Sequence, residues 1–274
     1  MKLIFKSNMI AQSALFEMSA SGVTVSRMNV DQSSNSLPFN TYLPYNYSTP
    51  VIHRFTILAQ YFIVFIAGHI QAGFDTLFPG IMMQICAKLA ILKHRFRIVV
   101  IILGKMHETR TFSSKYYENV DKKLINDWIE SHNAILSLYD NIESVFSKVI
   151  FVQYFMSALS LCITVYFISQ MRIFTMEFIG NFVFLIASTT EIFALCFSAN
   201  QVTLEFAGLH QAIYNTKWYD LNISTKKNIM LMMVRTLRPI IFTSGFLAVL
   251  SLDSFKSLIK VAYSIYNVLK SKKL

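Results

Sequence analysis

Apolar runs long enough to cross a membrane occur at three places in the chain. Residues 55–74 contain no Lys, Arg, Asp or Glu, and a helix of about 20 residues spans the roughly 30 Å hydrocarbon core of a bilayer. Residues 149–170 are also uncharged, and a third run extends from about 173 to 202 with Glu177 and Glu191 inside it. We therefore expect three membrane-spanning helices here, to which the next element adds a fourth.

A fourth apolar element, residues 239–269, is shorter in its apolar runs and interrupted by polar residues. Because it is too polar to stand alone in lipid, we interpret it as a helix that is buried in protein or lines a pore. Residues 1–50 are weakly organised and rich in Asn, Ser and Pro, so we expect an N-terminal remnant followed by an extracellular loop. The pattern predicts an all-α integral membrane protein whose transmembrane domain covers 51–274, with helices at about 51–92, 145–170, 173–202 and 224–270 and a break near 239–252.

Basic residues concentrate between these spans and predict the topology. The segment 88–148 holds ten of the 25 Lys and Arg residues, and 203–238 is also basic. Cytoplasmic loops collect Lys and Arg, so both segments are expected inside the cell and the loop before residue 51 outside it. The same reasoning places the C-terminus outside, although its Lys-rich end opposes the rule. Of two Asn-x-Ser/Thr sequons, Asn46 is then available for a glycan and Asn222 is not.

Composition agrees with a membrane protein and disfavours other classes. Charged residues make up 15% of the chain and mean hydropathy is +0.46, whereas soluble domains carry about 25% charged residues. The cytoplasmic segments account for much of the net charge of +10, so we expect no nucleic-acid partner. Cys86, Cys162 and Cys196 lie in apolar runs and are expected to be buried free thiols. No motif assembles a nucleophile, a base or a metal or cofactor site, so we expect no enzyme, no metal and no cofactor.

Two acidic residues inside the apolar runs, Asp75 and Glu191, are costly in a membrane and should face protein or water. We favour structural hydrogen bonding over catalysis for both. His69 lies within the first span, and we interpret it as a neutral histidine satisfied by its surroundings rather than a metal ligand.

Several short motifs occur in the terminal third of the chain. They are Ala212–Tyr214 with Trp218–Asp220, Arg235 with Arg238 and Pro239, Thr243–Gly245, Ser251 with Leu252 and Phe255, and Tyr263 with Ser264. Together they resemble the C-terminal signature of insect odorant receptors. Further upstream, residues 37–45, Asp75–Phe78 and Phe146–Gln153 resemble other landmarks of that family, so that the resemblance covers roughly 37–270.

The resemblance implies a seven-helix subunit of an odorant-gated cation channel, in which the four visible spans match the fourth to seventh helices. It implies a heterotetramer with the family's co-receptor in the plasma membrane of olfactory sensory neurons. It also implies that small volatile ligands bind in the outer half of the helix bundle and that the last helix of each subunit lines the pore. An extracellular C-terminus is usual in the family, which accounts for the Lys-rich end.

Only four of the seven helices are visible, so we expect an N-terminally truncated chain. Two alternatives stay open: a non-functional or dominant-negative receptor fragment, and a related gustatory receptor. A G-protein-coupled receptor is disfavoured because the chain lacks DRY-like and NPxxY-like motifs.

Small side chains form one stripe on the last helix, at steps of four and three residues. A stripe of Ser alternating with Val suits a narrow wet pore with apolar constrictions, but small residues also favour a close contact between helices. Val268 falls where the family resemblance places the apolar gate. The candidate pore residues are Ser257, Val261, Ser264, Val268 and Ser271.

Two aromatic stripes are candidate walls of a ligand pocket, since small volatile apolar ligands bind between apolar and aromatic side chains. Ordinary packing or lipid exposure explains each stripe equally well from sequence. The candidate ligand-binding residues are Phe55, Leu58, Phe62 and Phe65 in the first span and Phe174, Phe178 and Phe182 in the third.

Overall fold

The computed structural model describes Leu37 and residues 42–45, 49–108, 114–172, 175–238, 240–244 and 248–271. Within these ranges the chain is almost entirely helical. The elements in chain order are α1 (Pro50–Glu108), α2 (Ser114–Gln170), α3 (Met176–Tyr214), a 3-10 turn (Trp218–Asp220), α4 (Ile223–Thr236), β1 (Thr243–Ser244), β2 (Ala248–Val249) and α5 (Leu252–Ser271).

The first two helices are much longer than a membrane is thick. Helix α1 has 59 residues and α2 has 57, so each rises about 85–90 Å against a hydrocarbon core of roughly 30 Å. The sequence placed the end of the first helix near residue 92 and the start of the second near 145. The structure extends both, because apolar residues keep recurring at helical spacing in the basic segment that follows the span.

Three helices in the described part of the chain, α1, α2 and α3, are long and apolar enough to cross a membrane by length and composition. Helix α5 has 20 residues and corresponds to the more polar fourth element. The break before it is a short antiparallel hairpin, in which Thr243 pairs with Val249 and Ser244 with Ala248.

The described residues fall into two compact units, and the first has an apolar exterior. This unit takes the residues up to Phe78, Tyr154–Leu195 and Phe255 onward. Large apolar side chains on its surface are widely exposed, among them Phe155 and Ile163, while Leu161 and Ile192 belong to its small buried set. Because such an exterior is stable only away from water, this unit is suited to contact lipid.

The second unit, Pro79–Gln153 with Cys196–Ser254, has a dense apolar core. Trp128 is 4% exposed, and its Nε1 donates a hydrogen bond of 3.0 Å to the carbonyl oxygen of Leu92. Tyr139 packs edge-on against Phe206 and Phe242, with ring centroids 5.6 and 6.4 Å apart. These contacts tie α1, α2, α3 and the segment before β1 together.

Side chains of α2 hold the first strand of the hairpin. Glu143 Oε1 accepts hydrogen bonds from both the backbone N (3.1 Å) and the Oγ1 (2.8 Å) of Thr243. One turn further along α2, Ser147 Oγ donates to the carbonyl oxygen of Thr243 at 2.7 Å. We call these three bonds the hinge clamp, because they fix the link between α4 and α5 at a single residue.

Helix α5 begins with a serine cap. Ser251 Oγ accepts a hydrogen bond of 3.2 Å from the backbone N of Ser254, which satisfies one of the unpaired N–H groups of the first turn. The Oγ of Ser254 donates to the carbonyl oxygen of Val249 at 2.6 Å, so the start of the helix is joined to β2.

Candidate functional site

The stripe of small residues on helix α5 lies on an exposed face of that helix. Ser257, Val261, Ser264 and Val268 are all exposed, and the two valines are 55% and 57% exposed. Ser271 ends the helix, but its side chain is not among those the structure describes. The candidate pore residues in view therefore share one exposed face of the helix.

Part of the opposite face of α5 is packed. Ala262 is 5% exposed, and the ring of Phe255 lies edge-on to Phe193 of α3 with centroids 5.5 Å apart. The helix therefore has one partly packed face and one exposed stripe of small residues.

A cavity of about 630 Å³, which we call the aromatic cavity, lies between α2, α3 and α5 in the first unit. This volume falls within the range of roughly 300–1,000 Å³ typical of small-molecule sites. Phe178 and Phe182 line it, and their rings stack with centroids 6.2 Å apart and planes inclined by 7°. The other lining residues are Leu161, Val165, Ile168, Ser169 and Met171 near the end of α2, Leu185 and Thr189 from α3, and Ile259, Ala262, Tyr263 and Tyr266 from α5.

The contribution of α5 to the aromatic cavity comes from the face opposite the stripe. Ile259, Ala262, Tyr263 and Tyr266 are spaced at three and four residues and lie on one side of the helix. Ile259 is two residues from Ser257, which turns its side chain about 200° around the helix axis. A single helix therefore separates the aromatic cavity from the candidate pore face.

A second cavity in the same unit, of about 380 Å³, lies between α1, α2 and α3; we call it the carboxylate cavity. Asp75 is only 6% exposed there and accepts a hydrogen bond of 3.0 Å from Gln71 Nε2. Glu191 Oε1 accepts one of 2.8 Å from Ser157 Oγ. Both intramembrane carboxyl groups thus have polar partners, which agrees with the structural role expected for them.

The candidate ligand residues of the first span lie elsewhere. Phe55, Leu58, Phe62 and Phe65 are between 51% and 73% exposed and line neither cavity. Phe65 packs against His69, with ring centroids 4.3 Å apart. The structure therefore brings Phe178 and Phe182 toward α5 and not toward this stripe. Phe174 and Asn46 lie outside the described residues.

Sequence reasoning missed the α5 wall of the aromatic cavity. The signal was present, because Ile259, Ala262, Tyr263 and Tyr266 repeat at helical spacing opposite the serine stripe. Among the residues that the structure describes, no group of three or more His, Cys, Asp or Glu side chains is arranged to hold a metal ion.

Comparison with known proteins connects this geometry to one family. The model of the family described as 7tm Odorant receptor matches residues 3–263. The chain is 30% identical to Putative odorant receptor 19b of Drosophila melanogaster over 142 residues, which is 52% of this chain and 37% of the relative. It is 22% identical to Odorant receptor Or2 of Anopheles gambiae over 236 residues, or 83% of this chain and 61% of the relative.

Solved structures agree in fold. The insect olfactory receptor OR5 from Machilis hrabei matches with a TM-score of 0.78 at 17% identity, over 98% of this chain and 66% of that one. The same receptor in complex with eugenol matches with a TM-score of 0.73 at 19% identity, over 97% of this chain and 66% of that one. The likeness confirms the predicted fold class, an all-α integral membrane protein with part of the seven-helix insect odorant receptor fold. The chain spans 37% and 61% of the lengths of the two curated relatives.

Proposed function

Because this chain belongs to the 7tm Odorant receptor family, we propose that it is an odorant receptor subunit that binds small volatile ligands and forms an odorant-gated cation channel with a co-receptor subunit. The family and the membrane-spanning helices make it a membrane receptor and not an enzyme. We place it in the plasma membrane of olfactory sensory neurons, with the basic segments 88–148 and 203–238 on the cytoplasmic side.

The main support for the proposal is the difference in exposure between the two faces of α5. Ser257, Val261, Ser264 and Val268 are exposed while Ala262 behind them is buried. Four copies of this stripe around an axis make a channel in which serine hydroxyls contact water and valines form constrictions. We assign Val268 as the gate and Ser271 as the last pore residue, in keeping with their places on the stripe.

We place the ligand against Phe178 and Phe182. Both line a cavity of about 630 Å³ whose other walls are mostly apolar, and sites for drug-sized ligands have these properties. The related receptor OR5 from Machilis hrabei was solved in complex with the small molecule eugenol. Ligand binding by the stripe from Phe55 to Phe65 stays a prediction, because these residues line neither cavity. Their exposure is suited to contact with lipid.

We place contacts with other subunits on α4 and the segment around it, Lys217–Arg238, together with α5. Helix α4 buries Ile229 and Met232 against its own chain. Its other side exposes Leu231 and Val234, at 71% and 65%. A surface helix that exposes apolar residues on the side away from the core is suited to bind another protein.

The substitution Val268→Thr tests the pore assignment. It replaces a methyl group with a hydroxyl, keeps nearly the same side-chain shape, and should allow water into an apolar constriction. We expect a raised ligand-independent current in heteromers with the co-receptor, measured by patch clamp. Val152→Thr is the matched control, because Val152 is 60% exposed but lies on α2; it should leave the current unchanged.

An unchanged basal current in Val268→Thr, with surface expression confirmed, would favour a close helix contact over a pore. Heteromers that reach the surface but never conduct, with or without ligand, would favour the non-conducting alternative instead.

A further inference from the structure

Lys260 is a positive charge near the middle of α5, beside the stripe of candidate pore residues. Helix α5 runs from Leu252 to Ser271, so its 20 residues rise about 30 Å, which is the thickness of a hydrocarbon core. We propose that Lys260 lies in the conduction pathway and sets the cation specificity of the channel, by disfavouring divalent cations such as Ca²⁺ relative to Na⁺. This inference rests on the channel function proposed above.

Lipid is an unfavourable surrounding for the side chain of Lys260. The residue is exposed on its own chain, and a lysine at the centre of a membrane-spanning helix is costly in lipid. The two ends of α5 lie about 12 Å and about 16 Å away along the helix axis. Both distances exceed what a lysine side chain covers when it extends to the membrane surface. Lys260 is therefore suited to face water or another subunit.

Helical geometry places Lys260 on the same side of α5 as the stripe. Around the helix axis it lies about 60° from Ser257 and about 40° from Ser264, whereas the buried Ala262 is about 160° away. Ala262 is 5% exposed, while Lys260 and Ser264 are both exposed. Ser264 Oγ also donates a hydrogen bond of 2.9 Å to the carbonyl oxygen of Lys260. A pathway that contacts Ser264 therefore passes beside Lys260.

The charge of Lys260 is not neutralised within its own helix. Ion pairs on a helix form between residues three or four positions apart, and those positions hold no acidic residue; they are Lys256, Ser257, Tyr263 and Ser264. Asp253 is the acidic residue of α5, but it precedes Lys260 by about 10 Å along the axis. Ions that pass along the stripe therefore meet a net positive charge at this level.

Coulomb's law gives the size of the effect. A unit charge roughly 7 Å from a monovalent ion in water changes the free energy of that ion by about RT, and it changes that of a divalent ion by about twice as much. One Lys260 therefore lowers the occupancy of divalent relative to monovalent cations about threefold. Screening by salt lowers this factor, and low-dielectric walls raise it.

Reversal potentials measure the resulting permeability ratio. Heteromers of the full chain with the co-receptor are recorded by patch clamp, with Na⁺ inside the cell and either Na⁺ or Ca²⁺ outside. Lys260→Gln should raise the Ca²⁺ to Na⁺ permeability ratio about threefold for each copy of the chain, and the reversal potential in Ca²⁺ should become more positive. Lys123→Gln is the matched control, because it removes the same charge from an exposed position on α2; it should leave the ratio unchanged.

A cysteine variant allows the charge to be restored after the channel has assembled. Lys260→Cys should raise the permeability ratio as Lys260→Gln does. A methanethiosulfonate reagent forms a disulfide with the thiol and releases methanesulfinate. The positively charged 2-(trimethylammonium)ethyl reagent should return the ratio toward that of the unsubstituted chain, whereas the negatively charged 2-sulfonatoethyl reagent should raise it further. The unsubstituted chain treated with both reagents controls for its own cysteines.

Two results would overturn the proposal. One is a permeability ratio that is the same in Lys260→Gln as in the unsubstituted chain and does not depend on the charge of the reagent in Lys260→Cys. The other is loss of co-purification of Lys260→Gln with the co-receptor, which would make Lys260 a contact between subunits. Ligand-gated current in the unsubstituted heteromers would leave the channel function standing in both cases. Absence of that current would instead refute the channel function, and this inference with it.

Discussion

The hinge clamp makes a measurable contribution to holding the link before α5. The substitution Thr243→Val removes the Oγ1 donor to Glu143 (2.8 Å) and leaves the two backbone bonds of Thr243 in place. A hydrogen bond to a charged group contributes about 1.5–3 kcal/mol. Because Thr243 is exposed, solvent screening reduces this to about 1 kcal/mol. A loss of that size raises the population of the locally open link about fivefold.

Hydrogen exchange followed by mass spectrometry measures this population. Peptides that cover residues 240–254 should exchange about fivefold faster in Thr243→Val than in the unsubstituted chain. Ser144→Ala is the matched control, because Ser144 Oγ donates only within α2, to the carbonyl oxygen of Asn141 at 2.9 Å. It should leave exchange in these peptides unchanged.

A double-mutant cycle decides whether Glu143 is the partner that matters. If the clamp is as described, Thr243→Val has little further effect once Glu143 is replaced by Ala, since both changes remove the same bond. Additive effects of the two substitutions, or an unchanged exchange rate in Thr243→Val, would refute the reasoning.

Three further predictions concern topology, pH and assembly. Expressed in insect cells, the chain should lose a glycosidase-sensitive mobility shift in Asn46→Gln but not in Asn222→Gln; the reverse would overturn the orientation. Burial, aided by the charge of Arg235, lowers the pKa of His132, so the folded chain binds that proton less readily than the unfolded one, and stability falls as the pH drops below about 6.5. The Tm of His132→Phe in detergent should therefore vary less between pH 7 and pH 5, and equal slopes would contradict this. Leu231→Glu should weaken co-purification with the co-receptor, whereas undiminished recovery would remove α4 from the proposed interface.

The membrane-spanning helices could be predicted from sequence because the signal is local. An uncharged run such as 149–170 specifies a span by length and composition alone. The long helices extend beyond the bounds near 92 and 145 given from sequence, since α1 continues to Glu108 and α2 starts at Ser114. There the helical repeat is amphipathic, and residues such as Leu92 and Trp128 are buried against other helices, so both helices extend through the basic segment.

Part of the candidate site could likewise be predicted from sequence, and part of it could not. The stripe on α5 depends on helical spacing within one element, so its residues could be chosen from sequence. The wall that faces Phe178 and Phe182 could not be predicted from sequence, because it depends on which helix packs against α3. From sequence, the first span was expected to form the facing wall. In the structure, Ala262 and Tyr266 of α5 line the cavity together with Phe178 and Phe182. Tertiary packing decides which helix faces α3, and the periodicity of a single helix gives no information about its neighbours.

Whether the α5 stripe lines the conduction pathway is tested most directly by cysteine accessibility in the open channel. A permeant-sized charged thiol reagent, 2-(trimethylammonium)ethyl methanethiosulfonate, is applied to heteromers that carry Ser264→Cys, with Ala262→Cys and the unsubstituted chain as controls. Ser264 is exposed on the stripe, whereas Ala262 is buried on the opposite face. The account predicts that the reagent reduces the current through Ser264→Cys channels and leaves both controls unchanged. Full current after confirmed labelling of Ser264→Cys would contradict it.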